Sequence, residues 1–189
     1  MQDPFFFGYG SLVNRSTHSY DRAHPARITG WRRAWRHTPV HEVAFLTAVP
    51  APGERIDGLI AAVPGHDWAA LDEREHNYER HDVTGTLEHD AEDVTQVQIY
   101  AVPPRLSDAE GGLRPILLSY LDVVVQGYLR EFGVAGARLF FETTDGWEAP
   151  ILDDRAAPSY PRHQKLSEEE RRFVDRQLAA LQANVIRRP

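Results

Sequence analysis

The sequence predicts an α+β fold, with a strand-rich first half forming an antiparallel sheet and a more helical second half packed against it. Three observations lead there. Five or six short apolar segments between Phe5 and Val102 are mostly separated by turn residues, the pattern of a sheet that curls or closes. Pro115 to Phe132 places Ile116, Leu117, Tyr120, Leu121, Val124, Val125, Tyr128 and Phe132 at helical spacing. Neither regular strand–helix alternation nor a dinucleotide-binding glycine fingerprint is present, which argues against a doubly wound sheet.

Phe5-Phe6-Phe7 reads as a fully buried strand that breaks into a turn at Gly8-Tyr9-Gly10-Ser11-Leu12. Glycine leaves no Cβ to shield backbone N–H groups. Such a turn can form a rigid cup for a carboxylate or an oxyanion, or it can be an ordinary turn after a core strand. Asn14 to Pro25 is polar and reads as a loop with room for one helical turn.

Ala26 to Pro39 alternates with a period of two around a kink at Gly30, a strand or a pair of strands. Val43 to Val49 and Ile56 to Val63 follow as strands, with a turn expected at Pro50-Ala51-Pro52-Gly53. Pro64-Gly65 stops the second of them. Asp67 can cap a short helix over Trp68 to Glu75. Strands are expected again over Glu79 to Leu87 and Val94 to Val102, with an acidic loop between.

The amphipathic helix after Pro115 should end at Gly133. Ala137 to Glu142 fits strand or helix equally. Trp147 to Arg162, with Pro150, Pro158 and Pro161, reads as a long irregular loop. Ser167 and Glu170 form a capping box for a last helix, running to about Asn184 and packed by Phe173, Leu178 and Leu181. A single domain is expected over residues 1–189. Residues 1–105 would be the sheet core with the site, and 106–189 the helices and Pro-rich loop packed on it.

Composition narrows the function. The 189 residues are 42% hydrophobic and 26% charged, ordinary for a globular protein. A net charge of -7 gives the chain as a whole no attraction for nucleic acid or anionic lipid. Trp31, Arg33, Trp35 and His37 mix aromatic and basic character, but no larger basic cluster accompanies them. Arginine stems lying over apolar surface explain them better than a nucleic-acid platform.

The absence of cysteine excludes disulfides, thiolate nucleophiles and cysteine-type zinc sites. No basic segment followed by a long apolar run marks the N-terminus, so a soluble, cytoplasmic protein without a membrane partner is expected.

If Trp68 to Glu75 is helical, Trp68, Leu71 and Glu75 share its inward face, while Glu73 and Arg74 point to solvent. A carboxylate on an apolar face has a raised pKa, which suits a group that accepts a proton and later returns it. A helix ending sooner would leave Glu75 a surface residue.

Tyr78 can line a pocket beside Glu75 or simply pack with its hydroxyl bonded. Arg155, Tyr160 and Arg162 lie on the Pro-rich loop, where a lid over the cup is conceivable. His37, His41 and Glu42 invite a metal reading, but their order is wrong for H-E-x-x-H and the segment is not helical. Ser11 lacks the G-x-S-x-G elbow of a serine hydrolase.

The ordered motifs resemble the γ-glutamylcyclotransferase-like superfamily, which includes the ChaC-type enzymes. Phe7-Gly8-Tyr9-Gly10-Ser11-Leu12 is similar to that family's Y-G-S loop after the first strand. Leu71-Asp72-Glu73-Arg74-Glu75-His76-Asn77-Tyr78-Glu79-Arg80 is similar to its L-D-x-x-E-x-x-Y-x-R segment. Ala26 to Arg32 and Asp57-Gly58-Leu59 sit where the family has its glycine-marked strands, so the match covers residues 5 to 102. His76 departs from the common pattern, and the longer C-terminal section has no counterpart in it.

The resemblance implies a small, mostly antiparallel β-barrel flanked by helices, with a helical C-terminal extension. It also implies release of 5-oxoproline from a γ-glutamyl compound with no metal or cofactor. Glu75 would be the acid–base group. Backbone around Tyr9, Gly10, Ser11 and Leu12, with Tyr78, would hold the substrate, and Arg155, Tyr160 and Arg162 would supply a lid. Whether the substrate is glutathione, a dipeptide or an amine stays open, as does oligomeric state. So do a non-catalytic amine- or amino-acid-binding module on the same barrel and transfer or hydrolysis with glutamate as product.

Overall fold

Phe5–Gly8 forms β1, and every one of its residues is buried. The reason lies on both of its faces in a computed structural model that describes residues 2–39, 41–106 and 112–187. Phe5 and Phe7 join the main core, whereas Phe6 joins a second cluster with Leu12, Ala61, Val63, Leu71 and Tyr100. Side chains alternate across a strand, so a strand covered on both faces reads as a continuous apolar run.

β1 lies between two partners. It is antiparallel to β3 (Phe45–Ala62) and parallel to β6 (Val97–Ala101). β3 in turn pairs along its length with β2 (His24–Arg36). With β4 (Glu79–Asp82), β5 (Leu87–His89) and β8 (Thr144–Asp145), the sheet has seven strands among the described residues; it runs β4-β6-β1-β3-β2-β5, and β8 pairs with β2. The result is the expected α+β fold, a mostly antiparallel sheet curled as a half-barrel with few helices.

Several expected boundaries move, each for a local reason. Pro50-Ala51-Pro52-Gly53 does not divide two strands. Trp31 is paired with Pro50 and Thr29 with Arg55, so Ala51 to Glu54 stand opposite Gly30 alone. This is a wide bulge, with Gly30 and Gly53 at φ of +83° and +88°. Because bulged residues need not donate to the ladder, β3 carries its prolines there. The strand expected over Glu79 to Leu87 is two short ones, β4 and β5, separated by a 3-10 turn at Thr84–Thr86.

The amphipathic stretch begins as a strand. Ile116–Leu117 is β7, parallel to β9 (Ile151–Asp153), which also pairs with β10 (Val185–Arg187). β9 interrupts the otherwise irregular Pro-rich loop. Helix α2 spans Leu118–Glu142. Gly133 breaks it with φ of +64°, as expected of a stop signal, but helical geometry resumes and takes in Ala137 to Glu142.

Leu121, Val124, Val125 and Tyr128 are buried beneath the sheet. Helix α3 is Glu168–Ala180 and opens on the capping box of Ser167 and Glu170. Phe173 and Leu178 are buried, but the helix stops before Leu181, leaving that side chain 38% exposed. The second-half expectation also takes in residues 107–111 and 188–189, which lie outside the described ones. Among the described residues no helix is long and apolar enough to cross a membrane.

Candidate active site

Helix α1 spans Ala69–Arg74, with Asp67 Oδ1 accepting the Ala69 N–H at 3.1 Å. Leu71 is completely buried in the cluster around Phe6, and this anchors the helix on the outer face of β1. Glu75 still donates its N–H to the Leu71 carbonyl (2.9 Å), then leaves helical geometry at φ -103° and ψ 30°. Its side chain is 16% exposed. The inward direction expected for Glu75 is therefore present, although the helix ends one residue earlier.

The expectation for Arg74 is overturned. Its side chain is only 8% exposed and runs under the glycine turn. Nη1 donates to the Thr17 carbonyl (3.1 Å), Nη2 donates to Ser11 Oγ (3.2 Å), and Nε lies 3.2 Å from Glu75 Oε1. Helical spacing could not reveal this, because Thr17 and Ser11 lie 57 and 63 residues earlier in the chain.

The turn after β1 is pinned by its carbonyls. Tyr9 O accepts from the Tyr128 hydroxyl (2.9 Å) and Gly10 O from the Val13 N–H (3.0 Å). Ser11 O accepts from the Asn14 N–H (3.1 Å) and Thr17 Oγ1 (2.9 Å), and Leu12 O from His18 Nε2 (3.1 Å). In a trans peptide the following N–H points opposite to the carbonyl. The N–H groups of Gly10, Ser11 and Leu12 are thus turned away from these anchors, and their residues line a recess of about 30 Å³. Asn14 ties the turn to α2 by donating to the Val123 carbonyl and to Gln126 Oε1, each at 2.9 Å.

That recess opens into a larger, mostly apolar cleft of about 180 Å³, walled by Val43, Phe45, Leu117, Tyr160 and Arg162 among others. Ser11, Leu46, Glu75, Tyr78 and Tyr120 line both spaces, so the carboxylate stands at their junction. The cleft draws on both halves of the chain.

Burial pushes the Glu75 carboxyl above the usual carboxylate range, and the positive charges of Arg74, Arg162 and His76 pull it partly back. The phenols of Tyr78 and Tyr120 are held well above their ordinary range, first by burial and then by neighbouring phenols and Glu75. Both stay protonated. A buried, partly compensated carboxylate among neutral hydroxyls is suited to taking up and returning one proton.

His18 supports the turn from beneath. Its Nδ1 accepts the Tyr20 N–H (3.2 Å), so the neutral ring carries its proton on Nε2, facing the Leu12 carbonyl. Burial lowers its pKa to about 4 from an ordinary 6.5, with the Leu12 carbonyl opposing and Arg74 and Arg15 reinforcing the shift. A depressed folded-state value means stability that is full above pH 6.5 and lost as pH falls toward 4, because the unfolded chain takes up the proton first. His18→Gln is expected to flatten this part of the stability curve. Urea titrations from pH 7 to pH 4 check it.

Of the residues singled out in the sequence, the fold brings together Tyr9, Gly10, Ser11, Leu12, Glu75, Tyr78, Tyr160 and Arg162. Tyr78 lines the cleft with its hydroxyl donated to the Leu46 carbonyl (3.0 Å), so packing and pocket roles coexist. Arg155 does not join them. It grips both oxygens of Asp122 at 2.7 Å and reaches Asp175 at 2.6 Å, committing its guanidinium to hold the loop on α2 and α3.

Tyr120 is the residue that periodicity misassigns. Counted in the core stripe, it instead turns its hydroxyl to the Ser11 N–H and the cleft. A Cβ added at Gly10 would lie 2.6 Å from that hydroxyl, so glycine is required for the close approach. Among the described residues no three His, Asp or Glu side chains are grouped to hold a metal ion. His37 Nδ1 accepts the Arg114 N–H (2.9 Å), and the His41 ring stands edge-on to Phe45.

A family model described as gamma-glutamyl cyclotransferase, AIG2-like, matches residues 6–119. Comparison with curated proteins finds no significant match. Among solved structures, a gamma-glutamyl cyclotransferase superposes with a TM-score of 0.56 at 14% identity, covering 93% of this chain and 99% of its own. An uncharacterized protein from Homo sapiens does so with a TM-score of 0.58 at 14% identity and the same coverages. YkqA from Bacillus subtilis gives 0.59 at 15% identity, over 77% of this chain and 57% of its own. At these identities the superpositions establish a shared fold.

Proposed function

The chain belongs to the gamma-glutamyl cyclotransferase, AIG2-like family, and on that premise we propose that it cyclises a γ-glutamyl compound to 5-oxoproline. The observation that carries this reading is the junction itself: an inward-turned carboxylate and the residues of the Gly10 to Leu12 turn line the same small recess.

The reaction needs little else. Glu75 takes a proton from the substrate's α-ammonium, and the freed amine attacks the γ-carbonyl carbon of the same molecule. A five-membered ring forms, and the carbonyl oxygen becomes an oxyanion that backbone N–H groups can hold. As the C–N bond to the leaving amine breaks, Glu75 returns its proton to that nitrogen, and the second proton of the ring nitrogen passes to the departing amine, which leaves as an ammonium. Atoms and charge balance without an external reagent, because both protons lost by the attacking nitrogen end on the leaving one, and the enzyme's contribution is to fold the substrate and relay protons between the two.

The test is incubation with γ-glutamyl amino acids, glutathione and γ-glutamyl amines, followed by mass spectrometric assay for 5-oxoproline. Its appearance with stoichiometric free amine supports the reading. Glutamate as the product would replace it with hydrolysis. Thermal stabilisation by the same compounds without product would replace it with a binding module.

A further inference from the structure

The cleft beyond Glu75 carries information about the leaving group. Arg74, Glu75 and Arg162 line it, together with His76. Arg74 is fully engaged with Ser11, Thr17 and Glu75. Arg162 is different: it lines the outer space, its guanidinium makes no hydrogen bond or close ion pair among the described residues, and its charge acts on Glu75 only from a distance. Val43, Phe45, Leu117 and Tyr160 give it an apolar wall that the inner recess does not share, and His76 and Asn77 add a polar edge.

The segment that delivers Arg162 is held firmly. Asp154, only 5% exposed, accepts the Ser119 N–H (2.8 Å), the Ser119 hydroxyl (2.6 Å) and the Ser159 N–H (2.8 Å). The Tyr160 N–H donates to Ser119 Oγ (3.2 Å), and the Tyr160 ring stands edge-on to Tyr120, centroids 5.0 Å apart. A cation on a fixed segment beside an apolar wall is a built recognition element.

We propose that Arg162 is a specificity-determining residue that pairs with the carboxylate of the departing amino acid, while the wall of Val43, Phe45, Leu117 and Tyr160 takes that amino acid's bulky apolar side chain. The preferred substrates are then γ-glutamyl dipeptides ending in an aromatic or large aliphatic residue. γ-Glutamyl polyamines are disfavoured, because their leaving group has no carboxylate and brings a positive charge to a rim that already holds one. This rests on the cyclisation reading above.

The experiment compares γ-glutamyl-phenylalanine with γ-glutamyl-phenethylamide, which lacks only the outer carboxylate, and with γ-glutamyl-putrescine, which replaces it by an ammonium. Wild type and Arg162→Gln are assayed for kcat/KM across pH and for binding by calorimetry. The wild type should prefer the phenylalanine compound. Arg162→Gln should lose about tenfold on it and far less on the phenethylamide, the scale of one partly exposed charge-assisted contact. Arg162→Lys should restore part of the loss.

Equal losses on both compounds would overturn the proposal by assigning Arg162 to the glutamyl carboxylate. A displaced acid limb common to both would overturn it by assigning Arg162 to Glu75. Binding with this preference but without 5-oxoproline leaves the recognition standing and removes cyclisation. 5-Oxoproline formed without the preference does the reverse, and absence of both binding and product removes both.

Discussion

Glu75→Gln is expected to lower kcat for 5-oxoproline formation by at least about 100-fold, the usual contribution of a positioned acid–base group, equal to about 2.7 kcal/mol of barrier. The amide keeps the shape of the carboxyl and can still accept from Arg74 Nε, so the fold around α1 should persist. Stability separates chemistry from damage. Because burial raises the Glu75 pKa in the folded state, its stabilising contribution is present when it is protonated and is lost as pH rises through that value. The glutamine variant lacks that penalty at neutral pH, and its melting temperature should be unchanged or slightly higher. The wild-type kcat/KM should rise with pH on an acid limb lying above the ordinary carboxylate range. Product assays and thermal melts from pH 4 to pH 9 check both. An active Glu75→Gln protein with a normal melt would remove the residue from the proton-transfer role.

The second large effect is structural. Gly58 lies on β3 where the strand crosses the end of β1, next to the paired Gly8 and Leu59. A Cβ there would stand 2.5 Å from the Gly8 carbonyl oxygen and closer still to the Phe7 ring. Neither can retreat, since Phe7 is 1% exposed in the core and Gly8 is held in the ladder. Gly58→Ala is therefore expected to cost about 2–3 kcal/mol, the upper part of the range for overpacking a dense interior. For a chain of this size that corresponds to a fall of roughly 5–10 °C in Tm. The neighbouring Asp57 carbonyl accepts from the Tyr128 hydroxyl (2.7 Å), which also donates to Tyr9 O. The strain should thus reach the glycine turn, and residual activity should fall further than the melt alone explains. Denaturant unfolding, with activity measured well below the midpoint, checks this.

Much of this architecture is written locally. Three phenylalanines in a row announce a strand buried on both faces, and Ser167 with Glu170 announces the start of α3 to the residue. Glu75 was legible because Leu71 and its own position follow helical spacing for just long enough. What escaped depends on partners distant in sequence. Arg74 looks solvent-facing by periodicity, but it finds the Thr17 carbonyl and Ser11. Tyr120 looks like core, but the absence of a side chain at Gly10 opens a path to the turn. Pro50 to Gly53 spells a turn in every local rule, yet the pairing of β2 with β3 absorbs it as a bulge. Tyr160, Arg162 and Arg155 stand on one loop with indistinguishable local chemistry. Only the carboxylates of Asp122 and Asp175 take Arg155 away from the cleft.

The anchoring of residues 159–162 through Asp154 and Ser119 also sets an order of events at the ribosome. A nascent chain halted before Asp154 contains the acid and the glycine turn but not Tyr160 and Arg162, which close the far side of the cleft. On the proposed reading, the residues that choose among incoming molecules therefore leave the ribosome after the one that moves the proton.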